Sequence, residues 1–294
     1  MLINKGMFFV LIGAACFGFT PIFVKLGFNY GYSLGQLNIV QMTISFLILW
    51  VITLAKRSSF RGLTKKNIGK ISINGAFVAL TSIFYYGSIQ YLPASLAIIL
   101  LFQFVWIGIL FEWVFSKIKP TIATLIAIVF ILTGVFFASD IINGMVSELP
   151  IIGIVFGFLA AFTYAGFIFF SGKVATDVDP WIRSSLMVTS SVILVILIFI
   201  QDIPNVPSFT DPLWLIASGV ALFGAVIPPL FFAVGAPLIS GGMSNILSSI
   251  ELPVAIISAS IILAEEITLL QWLGTFLIIA AIILNEIGGM KYNG

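Results

Sequence analysis

The stretch NILSSIELPVAIIS (245–258) puts an ionisable group, Glu251, two residues before a helix breaker, Pro253, inside a long apolar region. A carboxyl group in such surroundings can bind an amine, take up and release a proton, or pin two helices together. Ser244, Ser248, Glu251, Ala255 and Ser258 recur at i, i+4, i+7, i+11 and i+14. On a helix this spacing gathers them on one small or polar stripe directed away from lipid. Asn245 opens the same stretch. Pro253 lacks a backbone N–H and frees a carbonyl near Ser249, where a kink is expected. The structural alternative is a protonated Glu251 that caps the freed backbone group.

Other polar residues could complete a site. At a shift of 148 residues, Gln103 in LFQFVWIG (101–108) falls opposite Glu251, which suggests an asymmetric site with an amide facing an acid. Trp106, one turn along, could stack on a ligand or simply pack. Asn38, Gln41 and Ser45 form a second stripe, and Asn74, Thr81, Tyr85 and Ser88 a third. Interhelical hydrogen bonds of ~0.6 kcal/mol are the ordinary role of such stripes. Tyr85 is the choice for a cavity position. Tyr164 lies beside Gly153, Gly157, Ala161 and Ala165, which read as a close-packing face. The candidate substrate-binding set is Glu251, Gln103, Trp106, Tyr85, Ser248, Asn245, Tyr164, Asn38 and Gln41, with no catalytic residue and no metal ligand.

The elements that hold these residues follow from composition. Of 294 residues, 61% are hydrophobic and 8% charged, and the mean hydropathy is +1.22. Soluble domains carry roughly 25% charged residues, so this chain could not cover a globule of its size with polar surface. Its apolar runs are twice as long as membrane strands and do not alternate, so they read as membrane helices. Ten spans are expected, near 6–27, 34–55, 70–90, 93–115, 120–138, 150–171, 181–201, 212–235, 240–263 and 268–288. The first apolar run continues through Pro21 to Lys25 without a small-x-small cleavage site, so it reads as a retained span.

Charge supports this count. With the N-terminus in the cytoplasm, 12 of the 13 basic residues, Lys291 among them, fall inside, and Lys25 alone lies outside. The outer connections carry the acids Asp140, Glu148, Asp202, Asp211, Glu265 and Glu266. The expectation is a multi-pass protein of the cell membrane with both termini cytoplasmic. Histidine is absent and Cys16 is the only cysteine. This removes disulfides, Cys/His zinc sites, haem-type His ligation and His-based triads, so no cofactor is expected. There is no GxxxxGK[ST] stretch for ATP-driven pumping. Intramembrane carboxylate catalysis would want two acids at similar depth, but Glu112 and Glu286 lie toward the cytoplasmic ends. An enzyme is therefore not expected, and neither is a nucleic-acid partner.

Sliding the chain against itself by 147 residues lays KGMFFVLIGAACFG (5–18) over IGIVFGFLAAFTYAG (152–166) and Thr121 over Thr268. Two repeats follow, 1–145 and 146–294, each with five spans. Five is odd, so the second copy enters the membrane from the opposite side. Inverted repeats of this kind recur in secondary transporters with a mid-membrane site. ACFGFTPIFVKLG (15–27), FYYGSIQYL (84–92) and ILAEEITLLQWLGTFLIIAAIIL (262–284) resemble the EamA repeats of the drug/metabolite transporter superfamily. FEWVFSKIKP (111–120) spaces its Glu differently from that pattern. The resemblance implies an all-α fold and alternating-access transport of small polar or amphipathic metabolites, with amino-acid export as the first substrate to consider. A lipophilic-cation exporter of the same fold is the alternative, followed by a channel or scramblase. Proton coupling through Glu251 and the oligomeric state stay open, with a monomer preferred.

Overall fold

A computed structural model of the chain describes residues 5–92, 94–139, 150–263 and 267–290. Lys291, Asp140, Glu148, Glu265 and Glu266, used above to orient the chain, lie outside the described residues. Among the described residues the regular structure is helical throughout. The first apolar stretch is α1 (Lys5–Phe17) and α2 (Thr20–Asn29), followed by α3 (Leu34–Ala55) and α4 (Lys65–Tyr91). The fourth is split into α5 (Ala94–Leu101) and α6 (Phe104–Ser116), and the fifth is α7 (Ile122–Ala138). In the second half come α8 (Ile151–Ser171), α9 (Pro180–Ile198), α10 (Pro212–Val220) and α11 (Ile227–Gly235). Then follow α12 (Gly241–Ser248), α13 (Glu251–Leu263) and α14 (Leu269–Met290).

Among the described residues eight stretches are long and apolar enough to cross a membrane, while Ile122–Ala138 and Leu269–Asn285 are apolar but shorter. Many starts are set by local chemistry. Ser33, Thr64, Thr121, Asp179, Asp211 and Ser240 each accept a hydrogen bond from a backbone N–H of the first turn they precede. Pro180 and Pro212 sit in first turns, where a missing N–H costs nothing.

The 147-residue register is visible in the helix starts. Lys65 and Pro212, Ala94 and Gly241, and Ile122 and Leu269 each lie 147 apart (212 − 65, 241 − 94 and 269 − 122). Packing is exchanged between the halves. Helix α4 packs on α8 and α9, and its counterparts α10 and α11 pack on α3 and α1. Counterparts also meet each other directly, α3 with α9 and α7 with α14, and α6 packs on α12, the counterpart of α5. Reciprocal exchange plus self-pairing is the signature of a two-fold relation between repeats. Gly153 and Gly157 sit against Leu92 and Leu100, where a Cβ would collide, so the small-residue face of α8 is a packing face.

Candidate functional site

The interruptions in the helices converge on Glu251. Between α12 and α13 the chain breaks at Ser249–Ile250, where Ser249 and Ile250 N–H groups bond three residues back instead of four. Pro253 cannot donate to Ser249, whose carbonyl instead accepts from Leu252 at 3.4 Å, and the Ser249 hydroxyl donates to the Ile246 carbonyl. The kink expected near Ser249 is thus a full break. A second break, Gly18–Phe19, separates α1 from α2. It packs on the first, because a Cβ at Gly18 would collide with the Glu251 carbonyl and with Val254. A third break, Phe102–Gln103, lies 147 residues before Ser249–Ile250. Broken helices are the devices that bring backbone ends and polar side chains to the middle of transporter folds.

Glu251 is buried, and the Tyr164 hydroxyl donates to its Oε2 at 2.9 Å. Both border a small cavity of about 50 Å³, lined also by Gln41, Thr81, Ser82, Tyr85 and Tyr86 and by the rings of Phe17 and Phe167. Tyr86 donates to Gln41 Oε1 at 3.3 Å, Gln41 Nε2 to Asn38 Oδ1 at 3.2 Å, and Ser82 to the same Asn38 oxygen at 2.7 Å. Asn38 therefore stands one hydrogen bond behind the wall. The Thr20 hydroxyl is buried without a partner among the described residues and also faces this cavity's lining. Among the described residues Glu251 is the only ionised-type side chain in the lining, which holds no Lys or Arg. A second cleft, bordered by Lys25, Ser139, Leu252 and Gln271, shares Pro21 with the first.

The expected set divides. Glu251, Tyr164, Tyr85 and Gln41 meet at the cavity, with Asn38 behind them. Gln103, Trp106, Ser248 and Asn245 lie elsewhere. The helix starts fix the register at 147, so Gln103 corresponds to Ile250, and the counterpart of Glu251 is Phe104. The facing of Gln103 and Glu251 at a shift of 148 is therefore corrected by one residue. Gln103 accepts from the Trp106 indole at 2.8 Å and donates to Ile99 O, and Trp106 is 38% exposed on the outer face. The Ser248 hydroxyl donates to Ser244 O at 2.7 Å within its own helix, and the Asn245 amide is wedged over Gly108. The break at Ser249–Ile250 also divides the single polar stripe expected from Ser244 to Ser258. Missed from the sequence were Phe17, Thr20, Tyr86 and Phe104. A signal existed for Phe17 and Phe104, since at 147 they are the counterparts of Tyr164 and Glu251. The edges of their rings meet Tyr164 at centroid distances of 5.3 and 4.7 Å.

Comparison with known proteins agrees with this fold. A solved crystal structure superposes with a TM-score of 0.77 at 13% identity, covering 94% of this chain and 95% of its own, which establishes a shared fold. The uncharacterized transporter YcbK of Bacillus subtilis (strain 168) is 24% identical over 175 residues, 59% of this chain. The match spans 56% of that relative's length. The model of the EamA-like transporter family matches twice, over residues 4–140 and 151–286, in the same 147-residue register (151 − 4). With two matches that together cover most of the sequence, this chain is a member of the EamA-like transporter family.

Proposed function

We propose that this protein is a secondary transporter whose central site binds the positively charged group of a small polar or amphipathic metabolite through Glu251. The observation that carries the reading is the buried Glu251–Tyr164 pair at the meeting point of two broken helices, in a cavity with no basic side chain to neutralise it. A buried carboxylate without a cationic partner is costly, and a ligand amine or a proton removes that cost. Ten spans complete the reading: α7 and the apolar part of α14, Leu269–Asn285, at ~1.5 Å per residue each reach about 25 Å and can cross with the bilayer adjusting locally. The repeats are then 1–145 and 146–294, inverted by their odd span number. Positive-inside charge sets both termini in the cytoplasm of a cell with this protein in its plasma membrane.

Two inverted halves that pack reciprocally can adopt two equivalent arrangements, each open to one side, which is alternating access. Amino acids fit the amine requirement, but their carboxylate would find only hydroxyl and amide partners here. That specific observation favours the second reading, an exporter of organic cations with an aromatic body, because Phe17, Phe167 and the tyrosines offer ring faces. The protein is proposed to act as a monomer. The test is flux in proteoliposomes loaded with candidate amines or cations. A carrier gives saturable uptake stimulated by counter-substrate. Unsaturable flux insensitive to counter-substrate contradicts the carrier reading.

A further inference from the structure

We infer that Tyr85 sets the choice of substrate at the central site: its hydroxyl pairs with a neutral oxygen that the ligand carries beside its amine. The inference rests on the reading of Glu251 as the partner of that amine. Three tyrosines, Tyr85, Tyr86 and Tyr164, line the cavity with Glu251. The Tyr164 hydroxyl donates to Glu251 Oε2, and the Tyr86 hydroxyl donates to Gln41 Oε1. Tyr85 is buried like them, but its hydroxyl has no hydrogen-bond partner among the described residues. The neighbouring hydroxyls are already in use. Thr81 bonds to Phe77 O and Thr163 Oγ1, and Ser82 to Asn38 Oδ1 and Ala79 O. The Thr20 hydroxyl lacks a partner too, but it is shut in beside Gly224. Among the described residues two side-chain oxygens of the lining are left unbonded without being shut in, Glu251 Oε1 and the Tyr85 hydroxyl. The first only accepts when ionised, and the second donates or accepts.

Packing does not ask for a hydroxyl at this place. The counterpart of Tyr85 at 147 residues is Phe232 (232 − 85), and there a bare ring is fully buried in the core. A buried hydroxyl with no partner destabilises a protein, and phenylalanine keeps the shape while removing that cost. A ligand oxygen that pairs with Tyr85 turns the cost into selectivity, because an analogue without the oxygen leaves the hydroxyl unpaired and is rejected. An ordered water would satisfy the hydroxyl equally well, but with no selectivity between ligands. The two cases therefore differ in how Tyr85 responds to ligand chemistry.

The lining narrows the ligand class further. A cavity of about 50 Å³ takes only a few water-sized groups, so a head group seated on Glu251 lies close to the other polar walls. The oxygen it presents to Tyr85 is neutral: a carboxylate would lie beside Glu251 with no Lys or Arg in the lining to offset either charge. A cationic amine with a hydroxyl or carbonyl oxygen near it meets both conditions, and small amino alcohols are the simplest members of that class. An apolar body on such a head group would find the rings of Phe17 and Phe167.

The test compares two probes of one shape, 2-aminoethanol and propylamine, which differ by a hydroxyl against a methyl. Each is titrated against the thermal midpoint of the purified full-length protein near neutral pH, where both are cations. Wild type is expected to bind 2-aminoethanol about tenfold more tightly than propylamine. Tyr85→Phe should bring that ratio to about one by weakening 2-aminoethanol alone, without lowering the ligand-free midpoint. Tyr86→Phe removes a hydroxyl already bonded to Gln41 and should leave the ratio as in wild type. The wild-type ratio needs no variant to fold, and propylamine binding as tightly as 2-aminoethanol overturns the inference. A ratio that survives Tyr85→Phe overturns it too. Glu251→Gln should abolish binding of both probes. If both bind through Glu251 without regard to Tyr85, the neutral oxygen falls and the amine reading stands. If Glu251→Gln changes neither, or neither probe stabilises wild type, the amine reading falls and this inference with it.

Discussion

The two repeats share a frame but not a chemistry. Helix starts, caps and the break in the fourth and ninth stretches repeat at 147 residues, yet the polar groups of the central cavity do not. Glu251 has Phe104 as its counterpart, Tyr164 has Phe17, Tyr85 has Phe232, and Gln41 has Val188. Thr81 and Ser82 are matched by Pro228 and Pro229, beside which the helix widens into a π-turn over Ala221–Val226. Phe17 lines the cavity beside its counterpart, while Phe104, Phe232, Val188 and the two prolines are buried away from it. A duplicated fold can therefore keep its symmetry in packing, where apolar residues are interchangeable within limits of volume, and abandon it where a buried polar group must find a partner. Among the described residues the site occurs once, assembled from α1 to α4 of the first repeat and from α8 and α13 of the second.

The largest effect is expected from forcing symmetry on the site. Phe104→Glu places a second carboxyl at a fully buried position against the ring of Tyr164. With no donor waiting, it should destabilise the protein by ~3 kcal/mol or more, seen as a lower unfolding midpoint in detergent. A stable variant would mean that the apolar half is more tolerant than its packing implies.

Next come two counterparts that do similar work at different depths. Arg183, 2% exposed, donates to Ser171 O and Ala233 O, tying α9 to the ends of α8 and α11. Its counterpart Gln36 is part-exposed and donates to Asn205 O at 2.6 Å. Arg183→Met should cost ~2–4 kcal/mol by leaving two buried carbonyls without donors, while Gln36→Ala should cost under ~1 kcal/mol. Equal losses in chemical denaturation would contradict the account of Arg183.

Tyr164→Phe makes the second repeat resemble the first at one atom. It removes the hydroxyl bonded to Glu251 and should cost ~1–2 kcal/mol. The pH profile of transport should also move, because Glu251 loses its donor. A profile identical to wild type would show that the bond does not govern this carboxyl.

The smallest effect lies at the surface. Asp211, the counterpart of Thr64, accepts from the Tyr32 hydroxyl and from the Leu213 N–H, and the Tyr32 bond in particular holds its carboxyl below the usual carboxylate range. A lowered carboxylate contributes stability above its unfolded range that is lost as pH falls through the folded value. Acidification below about pH 4 should thus lower the unfolding midpoint of wild type, and slightly less that of Asp211→Asn. Parallel acid profiles would remove Asp211 from the account.

Much of this was legible in the sequence for physical reasons. Long apolar runs, the placement of lysines and arginines, and the 147-residue shift report membrane burial and duplication directly. Glu251, Tyr85, Tyr164 and Gln41 stand out because a polar group in such a run needs a reason. The break at Gly18–Phe19 carried a signal, Gly18 followed by Pro21 in the first turn of α2, but the break at Phe102–Gln103 did not, since ordinary residues can end a helix where packing demands it. Gln103 and Trp106 were misplaced by one step of register, and one residue turns a helical side chain by ~100°. That rotation carries Gln103 from the site to the indole of Trp106. Asn245 and Ser248 sit on the right helix but beyond the break, where the stripe no longer points at Glu251.

The central claim, that Glu251 receives a positively charged ligand group in a cavity present once, is tested most directly by ligand-induced thermal stabilisation of purified wild type and Glu251→Gln. The panel should span amino acids, primary amines and quaternary aromatic cations between about pH 6 and 8. The account predicts that cationic compounds raise the wild-type midpoint and lose that effect in Glu251→Gln, whose own midpoint without ligand stays close to wild type. Equal stabilisation of both proteins by the same compounds would contradict it.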